Sequence, residues 1–165
     1  ELVCTATITE RKRVLELAEA AVVARVPVRV LGSPYGKDDP YYLRFLALAE
    51  RHSDFVRYAG PVNDRAELAR IYQSARGFVL LSTMETRSLS SEEAAASGCP
   101  LLLSDLPWAR SIFGHNATYC TISKPASTAA ALKKFYDEAP ALPTPAMPCR
   151  WSDVANQLVR IYQKL

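Results

Sequence analysis

Short apolar runs alternate with helix-like segments along most of the chain, and this alternation restricts the fold more than any other feature. Each run is apolar at consecutive positions, which is typical of a strand covered on both faces. Such strands are predicted at residues 2–8, 26–32, 55–60, 77–81, 101–104 and 117–122. Helices are predicted to begin at residue 10 and to cover residues 41–51, 64–74, 107–113 and 128–136, with a short helix before the fifth strand. The sequence therefore predicts an α/β fold, a Rossmann-like, doubly wound parallel sheet of about six strands with helices on both faces.

A proline-rich segment separates the alternating strands and helices from the end of the chain. Residues 139–150 are too rich in proline for helix or sheet and predict an extended connector. We therefore expect a domain over residues 1–138, the connector, and a C-terminal helix over residues 151–165. The chain begins on a predicted strand at Glu1, without a methionine, so we expect it to be part of a longer protein.

Charge and cysteine usage exclude several classes of function. The net charge of +3 is spread along the chain, and the basic cluster at residues 11–13 has no aromatic residues beside it, so we expect no nucleic-acid partner. The four cysteines have no metal-ligand spacing, which predicts reduced thiols, no metal and a cytoplasmic location. No apolar run approaches the roughly 18 residues of a membrane span.

The glycines exclude the common nucleotide-binding loops. A dinucleotide-binding fingerprint needs three close glycines after the first strand, and a P-loop needs a similar cluster. The turn over residues 7–12 has no glycine. A serine hydrolase elbow of the Gly-x-Ser-x-Gly type is also missing from the sequence.

Two carboxylates, Glu85 and Glu93, lie seven residues apart between the fourth and fifth predicted strands. Both fall near the start of one short helix, where backbone N–H groups and the helix dipole favour an anion. This layout suits a ligand with hydroxyls at both ends and phosphate between them, such as a nucleotide sugar. The alternative is ordinary capping, with Ser90 and Glu93 forming a capping box and Glu85 a turn carboxylate.

In a doubly wound sheet, ligands bind beyond the carboxyl ends of the strands. The candidate site therefore comprises residues 7–12, 32–33, 60–63 and 83–89. The basic cluster falls in the first of these segments. It is either a solvated basic turn or part of an anion site in which Lys12 neutralises a leaving diphosphate.

The stretch from Glu85 to Pro100 resembles the E-x7-E segment of the GT-B-type retaining glycosyltransferases of the group 1 family. The matching residues are Glu85, Leu89, Glu93, Ala94, Ala96, Gly98 and Pro100. Softer matches follow in collinear order over nearly the whole chain, including the lysine-bearing turn at residues 9–12 and the closing helix at residues 151–155.

The resemblance implies a role for each matched residue. Lys12 would hold the donor diphosphate, and the N–H groups of Ser88 and Leu89 would bind its distal phosphate. Glu85 would contact the donor-sugar hydroxyls, and Glu93 would accept hydrogen bonds from the ribose. Lys12 and Glu85 are thus the expected catalytic residues.

By the same resemblance, the nucleotide base would lie near Pro61 and Val62. Thr7 is a further expected substrate-binding position. No cofactor is expected, because the nucleotide sugar is a substrate.

The sequence departs from the family pattern at two places. Where the family has Gly-Arg before the lysine, this chain has Ala6-Thr7, so the arginine that accompanies Lys12 is absent. A continuous helix would turn Arg11 and Arg13 about 100° to either side of Lys12.

The second departure lies within the E-x7-E segment. Thr86, Arg87 and Ser88 replace a glycine, an aromatic residue and a glycine. Either these side chains crowd the phosphate, or Arg87 supplies the missing charge and belongs to the substrate-binding set.

These implications give the expected function. The chain would be the donor-binding half of an enzyme that transfers a sugar with retention to an acceptor glycan, lipid or protein. The acceptor would be bound through a missing N-terminal domain, and the C-terminal helix would pack on this domain or lead toward that one. Peripheral membrane association of the full-length protein is a further expectation. The alternatives are a non-catalytic nucleotide-sugar-binding domain and a protein-interaction domain that keeps only the fold.

Overall fold

The computed structural model describes residues 1–122 and 124–164, and within them the chain forms one six-stranded parallel sheet. The strands are β1 Leu2–Thr5, β2 Val28–Leu31, β3 Val56–Gly60, β4 Gly77–Leu80, β5 Leu101–Ser104 and β6 Thr118–Cys120. Their spatial order is β3-β2-β1-β4-β5-β6, so the winding direction reverses between β1 and β4. This is the order of a doubly wound nucleotide-binding sheet.

Helices cover both faces of the sheet. They are α1 Val14–Ala24, α2 Pro40–Arg51, α3 Arg65–Ser74, α4 Leu89–Ala96, α5 Pro107–Phe113, α6 Pro125–Glu138 and α7 Trp151–Tyr162. Helix α1 packs against α2 and α6, whereas α3 packs against α4. Strand β4 separates the two layers, because Gly77 faces the ring of Phe135 on α6 while Phe78 packs edge-on against Tyr72 of α3. The predicted doubly wound α/β sheet is confirmed.

The central strands explain why the sequence shows consecutive apolar residues. Every residue of β4 and β5 is buried, so no position of these strands faces water. Burying a leucine side chain contributes roughly 1.5–3 kcal/mol before entropy is counted. These strands therefore give the carboxyl edge of the sheet a rigid base.

The first helix does not begin at residue 10 as predicted. Residues Glu10–Lys12 form a 3₁₀ turn, Arg13 adopts a left-handed backbone with φ 52°, and α1 begins only at Val14. The Thr9 hydroxyl does not cap the turn, since it is buried without a hydrogen-bond partner in the described part of the chain. The turn keeps residues 10–12 at the sheet edge, where the loop after β4 binds them.

The proline-rich connector is not extended throughout. Ala139–Ala141 form a 3₁₀ turn with Ala139 buried, and an extended segment then leads to α7. None of the described residues of α7 is buried. The last residue of the predicted C-terminal helix, Leu165, lies outside the described residues. Among the described helices, none has the length and apolar character to cross a membrane.

Gly32 provides a direct test of this fold. Its φ is +135°, and a Cβ atom added there would lie 2.0 Å from the carbonyl oxygen of Ala6. We expect Gly32→Ala to lower the free energy of unfolding by about 2–4 kcal/mol, through backbone strain and overpacking together. Gly36→Ala is the matched control, since Gly36 has no atom within 4 Å of an added Cβ. Equal urea midpoints for the two variants would contradict this placement of the β2 loop.

Thiol reactivity tests the burial of the strands. Cys4, Cys99 and Cys120 are buried and Cys149 is exposed. Burial raises the pKa of the Cys4 and Cys99 thiols to about 12, which suppresses the reactive thiolate. We expect a thiol-specific chromogenic reagent to titrate one fast thiol in the native chain and four after denaturation. Cys149→Ser should remove the fast thiol, and rapid reaction of a second cysteine would contradict the fold.

Candidate functional site

The order of the strands reverses between β1 and β4, and the crevice of such a sheet is the space between the loops that follow these two strands. These two strands pair only at Leu2 with Gly77 and at Val3 with Phe78, although each continues for two more residues. Their carboxyl ends therefore separate, and the loops that follow them face each other. Ligands of doubly wound sheets bind at this position.

Hydrogen bonds join the loop after β1 to the loop after β4. The carbonyl oxygen of Arg11 accepts from the Thr83 N–H at 2.9 Å, the Thr83 hydroxyl at 3.3 Å and the Ser82 hydroxyl at 3.2 Å. The Ser82 carbonyl in turn accepts from the Ser104 hydroxyl at 2.6 Å and the Trp108 indole N–H at 3.2 Å. The two loops are thus fixed to each other and to β5 and α5.

This connection brings Lys12 and Glu85 together. The Lys12 ammonium Nζ lies 2.5 Å from Oε1 of Glu85, and Nη1 of Arg11 lies 3.3 Å from the same oxygen. Arg11 Nη1 also donates to the Met84 carbonyl at 2.6 Å. The Glu85 side chain is only 7% exposed. Two cations on one carboxylate give the cluster a net charge of about +1, which suits an anionic ligand.

The N-terminus of α4 borders the same crevice. Ser88 is the N-cap, and within the described residues the N–H groups of Ser88 and Leu89 have no protein acceptor. The Ser88 hydroxyl is buried against the Ser91 hydroxyl at 2.7 Å, so it does not cap the helix. The alternative of a capping box at Ser90 is not found, because the helix already begins at Leu89 and Ser90 lies inside it. These free N–H groups are typical of an anion site.

Glu93 lies one turn into α4 and is half-buried. No hydrogen bond to its carboxylate is found within the described part of the chain. Burial raises the pKa of the Tyr72 phenol, and the nearby Glu93 carboxylate raises it further. The hydroxyls of Tyr72 and Thr5 are both buried without a partner among the described residues. Glu93 therefore lies near the Tyr72 phenol of α3, which in turn lies near Thr5 at the end of β1.

Arg87 is not brought to the Lys12–Glu85 pair. Its Nε donates to both carboxylate oxygens of Glu92, at 3.1 and 3.0 Å. Its guanidinium lies over the ring of Trp151, 4.5 Å from the centroid, at the start of α7. Arg87 thus connects α4 to the C-terminal helix.

The other predicted site residues lie at the same edge of the sheet. Thr7 follows β1 and is half-buried, while Pro61 and Val62 follow β3. Val62 packs against the core and Pro61 is exposed. Both segments follow carboxyl ends of strands, as the topology requires.

Sequence reasoning missed the residues that hold the loops in place. Ser82 and Ser104 are fully buried, and each ends a wholly apolar stretch. A lone serine at the end of such a stretch is the signal that could have found them, because a buried hydroxyl needs a partner. Arg11 was expected to point away from Lys12, and it contacts the same carboxylate.

Among the described residues, no group of three or more His, Cys, Asp or Glu side chains is arranged to hold a metal ion. The donors at the crevice are instead ammonium, guanidinium and backbone N–H groups. All of these bind anions.

Solved structures share this fold. The pneumococcal O-GlcNAc transferase GtfA, solved in complex with UDP and GlcNAc, is 24% identical, with a TM-score of 0.67 over 83% of this chain and 29% of that chain. S. aureus TarM, solved as a mutant in complex with Fondaparinux, alpha-GlcNAc-glycerol and UDP, is 18% identical, with a TM-score of 0.68 over 82% of this chain and 28% of that one.

A third similar structure is the alpha,alpha-trehalose-phosphate synthase (UDP-forming) from Burkholderia vietnamiensis. It is 18% identical, with a TM-score of 0.68 over 87% of this chain and 37% of that one. This chain therefore spans about a third of the length of the proteins it resembles. No curated protein sequence matches the chain.

A family model supplies the assignment. The model described as "Glycosyl transferases group 1" matches residues 1–146, which is most of the chain. The family predicted from the E-x7-E segment is confirmed. This chain belongs to the group 1 glycosyl transferases.

Proposed function

We propose that this chain is the donor-binding half of a retaining GT-B glycosyltransferase. Such an enzyme moves a sugar from a nucleoside-diphosphate sugar to an acceptor hydroxyl. The observation that carries the proposal is the contact of Lys12 with Glu85 at the switch point of the sheet, beside the free N–H groups of α4. Cationic, carboxylate and N–H groups there match the phosphate and hydroxyl groups of such a donor.

The diphosphate would bind between Lys12 and the N-terminus of α4. Lys12 Nζ lies at the carboxyl edge of the sheet against Glu85, and an incoming phosphate would share that ammonium with the carboxylate. The N–H groups of Ser88 and Leu89 would bind the distal phosphate, as at other helix N-termini. Both contacts strengthen as charge develops on the departing diphosphate, which makes them contributors to catalysis.

The two carboxylates would bind the sugars at either end of the diphosphate. Glu85 is held by Lys12 and Arg11, so its free oxygen is oriented to accept from the donor-sugar hydroxyls. Glu93 would accept from the ribose hydroxyls. Thr7, Pro61 and Val62 follow neighbouring strands and would line the nucleotide end of the crevice.

In transfer, the bond between the sugar carbon and the diphosphate oxygen breaks, and that oxygen keeps the electron pair. Lys12 and the α4 N-terminus would stabilise the resulting charge. The acceptor oxygen bonds to the same face of the sugar, which retains the anomeric configuration, and its proton passes to the departing diphosphate oxygen. We assign no general base to this half of the enzyme.

The second wall of the crevice and the acceptor site would belong to an N-terminal domain. The C-terminal helix supports this proposal, since its apolar side chains are exposed. They are Trp151, Leu158, Val159, Ile161 and Tyr162. Such a face is normally covered by another structure.

Nucleotide binding is the first test. UDP, the nucleotide held by two of the similar structures, is compared with GDP and ADP by thermal shift and calorimetry. We expect at least one nucleoside diphosphate to stabilise the chain. Lys12→Ala should weaken that binding by roughly 10- to 100-fold, because it removes a charge-assisted contact. Glu93→Ala should also weaken it, through loss of the ribose contact.

Lys134→Ala is the control for the lysine variant, since Lys134 is an exposed residue of α6. Its affinity should equal that of the unmodified chain. If no nucleoside diphosphate binds, the donor-binding proposal fails. Full affinity in both Lys12→Ala and Glu93→Ala would place the nucleotide elsewhere.

Catalysis by this chain alone is a separate test. The proposal requires two walls around the donor. The 165 residues alone should therefore transfer no sugar from a bound nucleotide sugar to any acceptor. The measurement is transfer of a radiolabelled sugar under conditions where calorimetry shows donor binding. Turnover by the isolated chain would refute the assignment as half of the enzyme.

A further inference from the structure

The diphosphate site has one cation fewer than the family pattern leads one to expect. Thr7 stands where the family has an arginine, so Lys12 is without its usual companion. A site that binds a diphosphate through one lysine neutralises only part of the charge of the diphosphate. A second cation from elsewhere in the chain would complete the site.

Arg11 and Lys12 both extend from the 3₁₀ turn toward the loop after β4. Consecutive residues of such a turn lie about 120° apart around its axis, but these two long side chains meet at one carboxylate. Both reach Oε1 of Glu85, at 3.3 and 2.5 Å.

Arg13 follows the reversal of the chain and lies on another side of the loop. Its Nε is buried without a partner among the described residues. Burial raises the pKa of the Cys120 thiol, and the nearby Arg13 guanidinium opposes that rise. Arg13 is therefore half-buried near Cys120 of β6, whereas Arg11 contacts Glu85.

The Arg11 guanidinium has donors to spare. Its side chain is 41% exposed, and the contacts found within the described residues, to Glu85 and the Met84 carbonyl, both use Nη1. Nε and Nη2 form the pair of parallel N–H groups that bind a phosphate in bidentate fashion. The backbone carbonyl of Arg11 is fixed by Ser82 and Thr83, so the start of the side chain is held in place.

Resting on the proposed function, we infer that Arg11 is the second diphosphate-binding cation of this chain. Its guanidinium binds the phosphate oxygens beside Lys12 and takes the role of the arginine that is missing at position 7. Glu85 positions both cations. Position 11 thus determines how strongly the site prefers a diphosphate to a nucleoside without phosphate.

The test compares UDP with uridine in Arg11→Ala, Arg11→Lys and the unmodified chain, by calorimetry or by chemical-shift titration. We expect Arg11→Ala to weaken UDP binding at least 10-fold and to leave uridine binding unchanged. Arg11→Lys should restore only part of the loss, since an ammonium cannot form the bidentate contact. UDP binding in Arg11→Ala should also depend less on salt concentration.

Arg44→Ala is the matched control, since it removes the same charge from an exposed position on α2. If Arg11→Ala binds UDP as tightly as the unmodified chain does, this inference fails, while the proposed function stands. An equal loss for UDP and uridine would also overturn the inference, because that result shows a displaced loop. If the unmodified chain binds no nucleoside diphosphate, the proposed function itself fails; if it binds GDP or ADP in place of UDP, the same comparison is made with that nucleotide and its nucleoside.

Discussion

The carbonyl oxygen of Arg11 holds the two halves of the crevice together. It accepts hydrogen bonds from the backbone and hydroxyl of Thr83 and from the hydroxyl of Ser82, which joins the loop after β1 to the loop after β4. The topology brings these two loops to one edge of the sheet, and this connection fixes them there, with Lys12 in contact with Glu85. The site depends on a backbone interaction, and the charged side chains are positioned by it.

The apolar sheet makes that interaction rigid. Leu101, Leu102 and Leu103 of β5 are buried, and Ser104 at the end of this strand donates to the Ser82 carbonyl. A short series of buried hydroxyls therefore fixes the charged cluster relative to the core. A polar group on a fixed base is pre-organised, so under the proposed function little reorganisation would be needed when charge develops on a bound diphosphate.

The sequence predicted the sheet because consecutive apolar residues have few alternatives to a strand buried on both faces. It also placed Lys12 and Glu85 at one edge, because topology alone brings those loops together. It did not predict that Arg11 reaches Glu85, nor that α1 begins only after a left-handed backbone at Arg13. That conformation is unusual for a residue other than glycine and leaves no mark in the hydrophobic pattern. The contact of Arg87 with the ring of Trp151 could not be predicted either, because the two residues lie far apart in the sequence.

The most direct measurement of the central claim is a two-dimensional amide NMR titration of the ¹⁵N-labelled chain with UDP. A diphosphate bound in the crevice should shift the amides of Ser88 and Leu89 most, together with those of residues 10–13. Saturable shifts in both loops at one affinity would support the account. Shifts confined to the proline-rich connector, or amides of the crevice that do not respond while UDP binds, would contradict it.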